Sequence, residues 1–183
     1  MNALYVAWRP EKSSVGWRPV GRLVYDDGLY RFCYTNGAKQ PDFRPFPGMD
    51  NLEQIYESEM LLPQFENRLL KESRPEYDEY LRWSGFDPAN PPAPIVVLGV
   101  TEGIRQTDAI EVFPCPAPDA EGCFFNRFFL HGIRWMPPAA IDRIASLSVG
   151  EPLKLMLDLQ NEVDPHAVAL RTESDRTMIG YVP

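Results

Sequence analysis

The side chains with the clearest potential for chemistry are three acidic residues close together near the end of the chain. Asp158, Glu162 and Asp164 occupy this stretch, and Lys154 precedes them. Carboxylates that converge on a metal ion, with a lysine nearby, can support phosphodiester hydrolysis. Nothing in their spacing marks one as a general acid and another as a general base. A nuclease is therefore the less favoured alternative.

The residue types that most often serve catalysis and metal binding are few and scattered. The chain has two histidines, His131 and His166, and three cysteines, Cys33, Cys115 and Cys123, without a CxxC pair. Their spacing fits no set of metal ligands. An odd number of scattered cysteines is typical of free thiols in a reducing compartment. The sequence also lacks a GxSxG motif, a P-loop and a glycine-rich dinucleotide turn. We expect a cytoplasmic protein that is not an enzyme and uses no metal or cofactor.

Composition and charge further limit the classes of protein to which the chain can belong. Hydrophobic residues make up 44% of the 183 residues, and 19 prolines against 12 glycines predict short elements and rigid turns. No stretch approaches the ~18 apolar residues of a membrane span, and the first residues lack a signal-peptide pattern. The net charge of −8 disfavours a broad DNA-coating surface, because phosphate affinity depends on Lys and Arg. From residue 125 onwards, however, six basic residues stand against seven acidic ones. A compact pocket that grips a strand end is compatible with that balance.

The pattern of apolar and turn residues predicts an α+β protein that opens with a mixed unit over residues 1–86. Two aromatic and β-branched runs flank Asp26-Asp27-Gly28, a strong signal for a hairpin turn. Capping residues and helical spacing predict three short helices after the hairpin. The predicted elements are strands over 4–8, 19–25 and 29–34, and helices over 50–60, 63–70 and 74–83.

Two further segments complete the predicted organisation. Residues 87–123 are a proline-rich linker with connecting strands over 95–100 and 109–113. Residues 124–183 alternate as strand, helix and three strands, which favours a small β-barrel like those of OB and SH3 folds. These last elements are predicted over 124–133, 138–147, 153–159, 167–171 and 178–182.

Three phrases in residues 124–183 resemble the HIRAN family in order and spacing. Phe129–Trp135 looks like the family's opening strand, which ends in a glycine, an apolar residue, a basic residue and an aromatic one. Leu159–Leu170 is similar to the central signature, in which Asn and Asp bracket a turn before an Ala-Val strand. Met178–Pro183 looks like the closing phrase. The resemblance implies a HIRAN-like barrel over residues 124–183.

HIRAN domains bind single-stranded DNA, and fork remodellers use one to hold a 3′ end. The resemblance implies that Arg134 supplies a cation and Trp135 a stacking face. It also implies that Asn161 and Asp164 hydrogen-bond the terminal nucleotide and its hydroxyl, and that Tyr181 faces the pocket. An aromatic face stacks on any base, whereas a carboxylate accepts a bond from a free 3′-OH and repels a continuing phosphodiester. The expected partner is a single-stranded DNA end, with no membrane partner.

The chain departs from the family pattern in the central turn. Glu162 and Val163 stand where a proline and an aromatic residue are usual, so one stacking face is lost and a negative charge is added. The family's domain continues through a further helix and strand, so we expect either that the domain extends beyond Pro183 or that the barrel is incomplete. The site residues also have structural alternatives: a solvated arginine, a tryptophan at the rim of the core, a turn built by Asn161 and Asp164, and a core tyrosine.

Residues 4–70 resemble the N-terminal subdomain of HipA-type kinase toxins, which is a small β-rich interaction unit without the kinase active site. The similar phrases are Val20–Leu23, Tyr30–Tyr34 and Leu62–Leu70. The whole chain resembles bacterial proteins that pair such a front half with a HIRAN segment. The alternative function is therefore a protein-interaction or antitoxin-like module. In that alternative, residues 1–86 dock a protein partner and DNA binding is lost.

Overall fold

Two antiparallel sheets organise the protein, one in each of two units. The structure, a computed structural model, describes residues 3–10 and 16–183. The first unit is Met1–Arg127 and the second is Phe128–Pro183. With four helices beside the two sheets, the described residues confirm the predicted α+β class. Neither sheet closes into a barrel within the described residues.

The first unit is built on a five-stranded sheet with the order β4-β3-β2-β1-β5. The predicted hairpin is confirmed: Asp27 and Gly28 adopt φ values of 49° and 78° between its paired strands, as a tight primed turn requires. The elements of this unit are β1 (Ala3–Trp8), β2 (Arg18–Asp26), β3 (Leu29–Tyr34), β4 (Tyr56–Ser58), α1 (Pro63–Glu66), α2 (Tyr77–Trp83), α3 (Pro94–Thr101) and β5 (Ile110–Pro114).

An aromatic cluster fills the core beneath this sheet. The rings of Phe32 and Phe65 lie 5.3 Å apart between centroids, and both side chains are fully buried. Tyr34 holds the irregular proline-rich segment against the cluster, because its hydroxyl donates to the Met49 carbonyl (2.9 Å) and accepts from the Phe46 amide (2.7 Å). A single polar handle thus fixes a stretch that has no regular structure of its own.

Three predicted elements are wrong. Residues 50–60 form turns and strand β4 instead of a helix, since the Tyr56 hydroxyl bonds both the amide and the carbonyl of Asn51. Residues 95–100 form helix α3 instead of a strand, because a continuous buried apolar run fits either element. Residues 124–133 form an irregular segment with one isolated bridge, at His131.

A buried arginine ties the end of α1 to the segment between α3 and β5. Arg68 donates to the Gly103 carbonyl at 2.7 Å and to the Ile110 carbonyl at 3.3 Å. It also forms an ion pair with Asp108 at 2.7 Å. Because its side chain is only 1% exposed, these partners compensate the cost of removing the guanidinium from water.

The second unit is a three-stranded sheet with the order β6-β7-β8, preceded by one helix. The predicted helix and three strands are confirmed as α4 (Pro138–Ala145), β6 (Leu153–Leu157), β7 (Val168–Thr172) and β8 (Met178–Tyr181). Arg143 of α4 pairs with Glu151 before β6 and with Asp175 in the turn between β7 and β8. This polar network supplements a small core that includes Ala140, Ala169 and Ile179.

Within residues 3–10 and 16–183, no helix combines the length and the apolar character that crossing a bilayer requires. Cys33, Cys115 and Cys123 are all free thiols.

Glu102 generates a prediction about pH and stability. Its side chain is buried directly after α3, and burial raises the pKa of its carboxyl from 4.5 to about 7. The folded protein therefore holds this proton more tightly than the unfolded chain does, so stability falls as pH rises from 4.5 to 7. We expect Glu102→Gln to match the wild type in acid and to be more stable above pH 7, by up to about 3 kcal/mol.

Thermal unfolding followed by circular dichroism across this pH range measures the effect. Glu79→Gln, which removes an exposed carboxyl from α2, serves as the control and should retain the pH dependence of the wild type. Parallel pH profiles for Glu102→Gln and the wild type would contradict the assignment.

Candidate nucleic-acid interface

The segment before α4 is joined to the last strand by a backbone pair. The amide and carbonyl of His131 exchange hydrogen bonds of 3.0 Å with those of Tyr181. Gly180 permits this approach: its φ is +152°, and a Cβ added there would lie 2.5 Å from the His131 carbonyl oxygen. Residues 131–135 are thereby placed beside the end of β8.

A second glycine lets the ring of Tyr181 lie close to this segment. Gly132 has a φ of +71°, and an added Cβ would lie 2.8 Å from Cδ2 of Tyr181. Gly132 also caps the short 3-10 helix Ile133–Trp135, which carries Arg134 and Trp135. The backbone turn therefore sets both the ring position of Tyr181 and the direction of the two residues that follow.

The hydroxyl of Tyr181 reaches across to the end of β6. It donates to Oδ2 of Asp158 at 2.8 Å, and the side-chain amide of Asn161 donates to the same oxygen at 3.3 Å. The bond from Tyr181 lowers the pKa of the Asp158 carboxyl, and the same bond raises the pKa of the Tyr181 phenol. Asp158 is therefore a charged anchor that orients the tyrosine and the following loop.

Asn161 and Asp164 build the loop between β6 and β7. Oδ1 of Asn161 accepts the amides of Val163 (3.0 Å) and Asp164 (2.9 Å). Oδ1 of Asp164 accepts the amide of His166 at 2.8 Å. These bonds show the turn-building role for both residues. Among the described residues, Oδ2 of Asp164 has no hydrogen-bond partner, and the side chain is exposed.

An open cleft of about 660 Å³ lies within the second unit. Four of the five residues that the sequence singles out line it: Trp135, Asn161, Asp164 and Tyr181. Arg134 is not among the lining residues. Its guanidinium carbon lies 4.9 Å from the centroid of the Trp135 ring, and that ring is 74% exposed. The structure therefore offers a cleft lined by an exposed tryptophan, with a cation over the tryptophan ring.

The charge of the cleft is set by carboxylates. Asp158, Glu162 and Asp164 line it together with His131 and His166. No lysine or arginine lines it among the described residues, so a phosphate group inside the cleft would meet only repulsion from acidic side chains. A neutral sugar hydroxyl or the face of a base suits this environment better. Within residues 3–10 and 16–183, no group of three or more His, Cys, Asp or Glu side chains is placed to hold a metal ion.

Sequence reasoning missed the part that Asp158 plays in this cleft. It considered Asp158 only as one carboxylate of a nuclease, whereas the structure makes it the acceptor for Tyr181. The regular spacing of Asp158, Asn161 and Asp164 is a signal that could have indicated a loop held by its own polar side chains.

Comparison with known proteins adds no assignment, since no family model, curated protein or solved structure matches the chain.

The close approach at Gly132 generates a prediction about stability. Gly132→Ala combines a left-handed backbone with a methyl group that overlaps the Tyr181 ring. We therefore expect it to lower the free energy of unfolding by roughly 2 to 3 kcal/mol. Gly150→Ala is a matched control in the same unit, because φ there is +82° and no atom lies within 4 Å of the added Cβ. Gly150→Ala should lower the free energy of unfolding by only about 1 kcal/mol. Urea unfolding measures both, and equal losses would show that the contact with Tyr181 is unimportant.

Proposed function

We propose that residues 124–183 form a non-catalytic, HIRAN-like module that binds the free 3′ end of single-stranded DNA in the cytoplasm. The observation that carries the proposal is the cleft that brings Trp135, Asn161, Asp164 and Tyr181 together. These residues were selected from three separate phrases of the sequence. In this proposal, the three-stranded sheet β6-β7-β8 corresponds to part of a HIRAN-like barrel.

Trp135 is the stacking platform in this proposal. An exposed indole ring binds a base through its face, contributes about 1 to 3 kcal/mol, and does not select a sequence because every base has such a face. Arg134 lies over the same ring and supplies the positive charge that the cleft itself lacks. The base stacks within the cleft, while the phosphate that precedes the terminal nucleotide lies near Arg134.

Asp164 supplies the selection for a strand end. Oδ2 of Asp164, which has no hydrogen-bond partner among the described residues, accepts a hydrogen bond from a terminal 3′-OH. A phosphate at the same place would be repelled by Asp164 and by neighbouring Glu162. Asn161 contributes by holding the loop.

Fluorescence anisotropy with labelled oligothymidylates that carry a 3′-OH or a 3′-phosphate tests the stacking and the selection. We expect Trp135→Ala to weaken binding of the 3′-OH strand roughly tenfold, because one stacked base is lost. Asp164→Asn keeps the loop acceptor but removes the charge, so the preference for the free hydroxyl should shrink. Trp83→Ala removes a tryptophan of the first unit that is 69% exposed and should have no effect.

Two outcomes would overturn the proposal. One is the absence of binding at low salt by protein that circular dichroism shows to be folded. The other is an equal loss of affinity in Trp135→Ala and Trp83→Ala, which would indicate non-specific contact with exposed tryptophans.

The dependence of affinity on salt tests the part assigned to Arg134. Each phosphate contact to single-stranded DNA contributes about 0.7 to the slope of log affinity against log salt concentration. Arg134→Gln should reduce the slope by about that amount. Arg176→Gln, at an exposed arginine of the same unit, should leave the slope unchanged. A slope that responds to neither substitution would show that Arg134 contacts no phosphate.

A further inference from the structure

The first unit contains a groove of about 580 Å³ that is rich in tyrosine and belongs to no site described above. We call it the tyrosine groove after its four aromatic lining residues, Tyr25, Tyr30, Tyr77 and Tyr80. Tyr25 and Tyr30 are direct partners across the β2–β3 hairpin, with ring centroids 4.5 Å apart. Tyr77 and Tyr80 lie one turn apart on α2, with centroids 6.3 Å apart. Two pairs of rings thus come from two rigid elements.

The rim of the tyrosine groove is acidic. Glu59, Glu66 and Glu72 line it with exposed side chains, and Lys71 is the only basic residue among its lining residues. Within the described part of the chain, none of these three carboxylates forms an ion pair, although Glu57 and Asp108 of the same unit do.

The negative charge acts on the aromatic rings themselves. Burial, followed by the charge of Glu72, raises the pKa of Tyr77. The floor of the groove is apolar, since Leu61 and Val97 also line it and are buried. The groove therefore combines tyrosine side chains, carboxylates that form no ion pair with any described residue, and buried apolar side chains.

This combination suits the side chain of a lysine or an arginine. The face of an aromatic ring attracts a cation, and a nearby carboxylate adds to that attraction. The long hydrocarbon stem of either side chain can pack on an apolar floor while the charged end remains near the rim. The overall charge agrees, because residues 1–127 contain 13 basic and 19 acidic side chains. Nucleic acid would be repelled.

We propose that the tyrosine groove is a docking site for a basic segment of a protein partner, with a lysine or arginine side chain held over the tyrosine rings. The lining residues come from the hairpin and from all three helices of the unit. An open groove of this breadth contacts more than a single ammonium group, which favours a peptide segment over a small cation. The site is independent of the DNA-binding proposal, because none of its residues belongs to the second unit.

Binding of a short fluorescein-labelled peptide of alternating lysine and glycine to the full chain at low salt tests this proposal. The same peptide with glutamine in place of lysine should not bind. We expect Glu66→Gln/Glu72→Gln to weaken binding of the lysine peptide roughly tenfold. The control Glu76→Gln/Glu79→Gln changes the net charge by the same amount at exposed positions outside the groove and should bind as the wild type does.

Substitutions of Tyr77 separate the aromatic contribution from that of charge. Tyr77→Phe keeps the aromatic ring and should bind the lysine peptide as the wild type does. Tyr77→Leu should lower the affinity for this peptide roughly tenfold. Circular dichroism establishes that each variant is folded, and the retained affinity of Tyr77→Phe guards against a purely structural loss.

Three results would overturn the proposal. The first is that folded wild-type protein does not bind the lysine peptide. The second is that both double glutamate variants weaken binding equally, which would show attraction to the acidic unit as a whole. The third is that N-acetyl-lysine methylamide binds as tightly as the peptide, which would make the groove a small-cation site.

Discussion

The backbone pair between His131 and Tyr181 is the interaction on which the cleft of the second unit depends. It requires glycine at position 180, since any Cβ there would overlap the His131 carbonyl. With that pair formed, the Tyr181 ring packs on Gly132 and its hydroxyl reaches Asp158 at 2.8 Å. A single bridge between an irregular segment and strand β8 thus positions a tyrosine, a carboxylate and the start of the β6–β7 loop together.

The β6–β7 loop is held by its own polar side chains, and the proposed function gives the same side chains a binding role. An exposed loop has few apolar contacts, so its shape depends on local hydrogen bonds. The side-chain oxygen of Asn161 accepts hydrogen bonds from two backbone amides of the loop, and one carboxylate oxygen of Asp164 accepts a hydrogen bond from the His166 amide. The remaining oxygen of Asp164 is then held in one direction at no further entropic cost to a ligand. Preorganisation of this kind is how a structural role can support a binding role.

The sequence predicted those parts of the fold that depend on neighbouring residues. The hairpin turn at Asp27 and Gly28 and helix α4 follow from local conformational preferences and hydrophobic spacing. One error arose because a continuous apolar run fits either a strand or a helix, as over residues 95–100. Other errors arose where pairing with a distant part of the chain decides the outcome. Residues 50–60 have a helix-like pattern, yet the Tyr56 hydroxyl and pairing with β3 hold them in turns and a strand. The role of Asp158 was hidden for the same reason, because its partner Tyr181 is 23 positions away.

Negative charge gives the two proposed sites opposite selectivities. In the tyrosine groove, three carboxylates that form no ion pair with a described residue lie near four tyrosines, and in the proposal their fields add to the attraction for a cation. In the second unit, carboxylates line the cleft while the cation Arg134 lies outside its lining and over Trp135. In the proposed function, a nucleic acid enters that cleft with its neutral parts and keeps its phosphates on the side of Arg134. Selection for a strand end then depends, in the same proposal, on repulsion as much as on attraction, because a chain that continued past the cleft would carry its next phosphate towards Asp164. Under this proposal, an acidic protein needs no broad basic surface of the kind that binding along a strand requires.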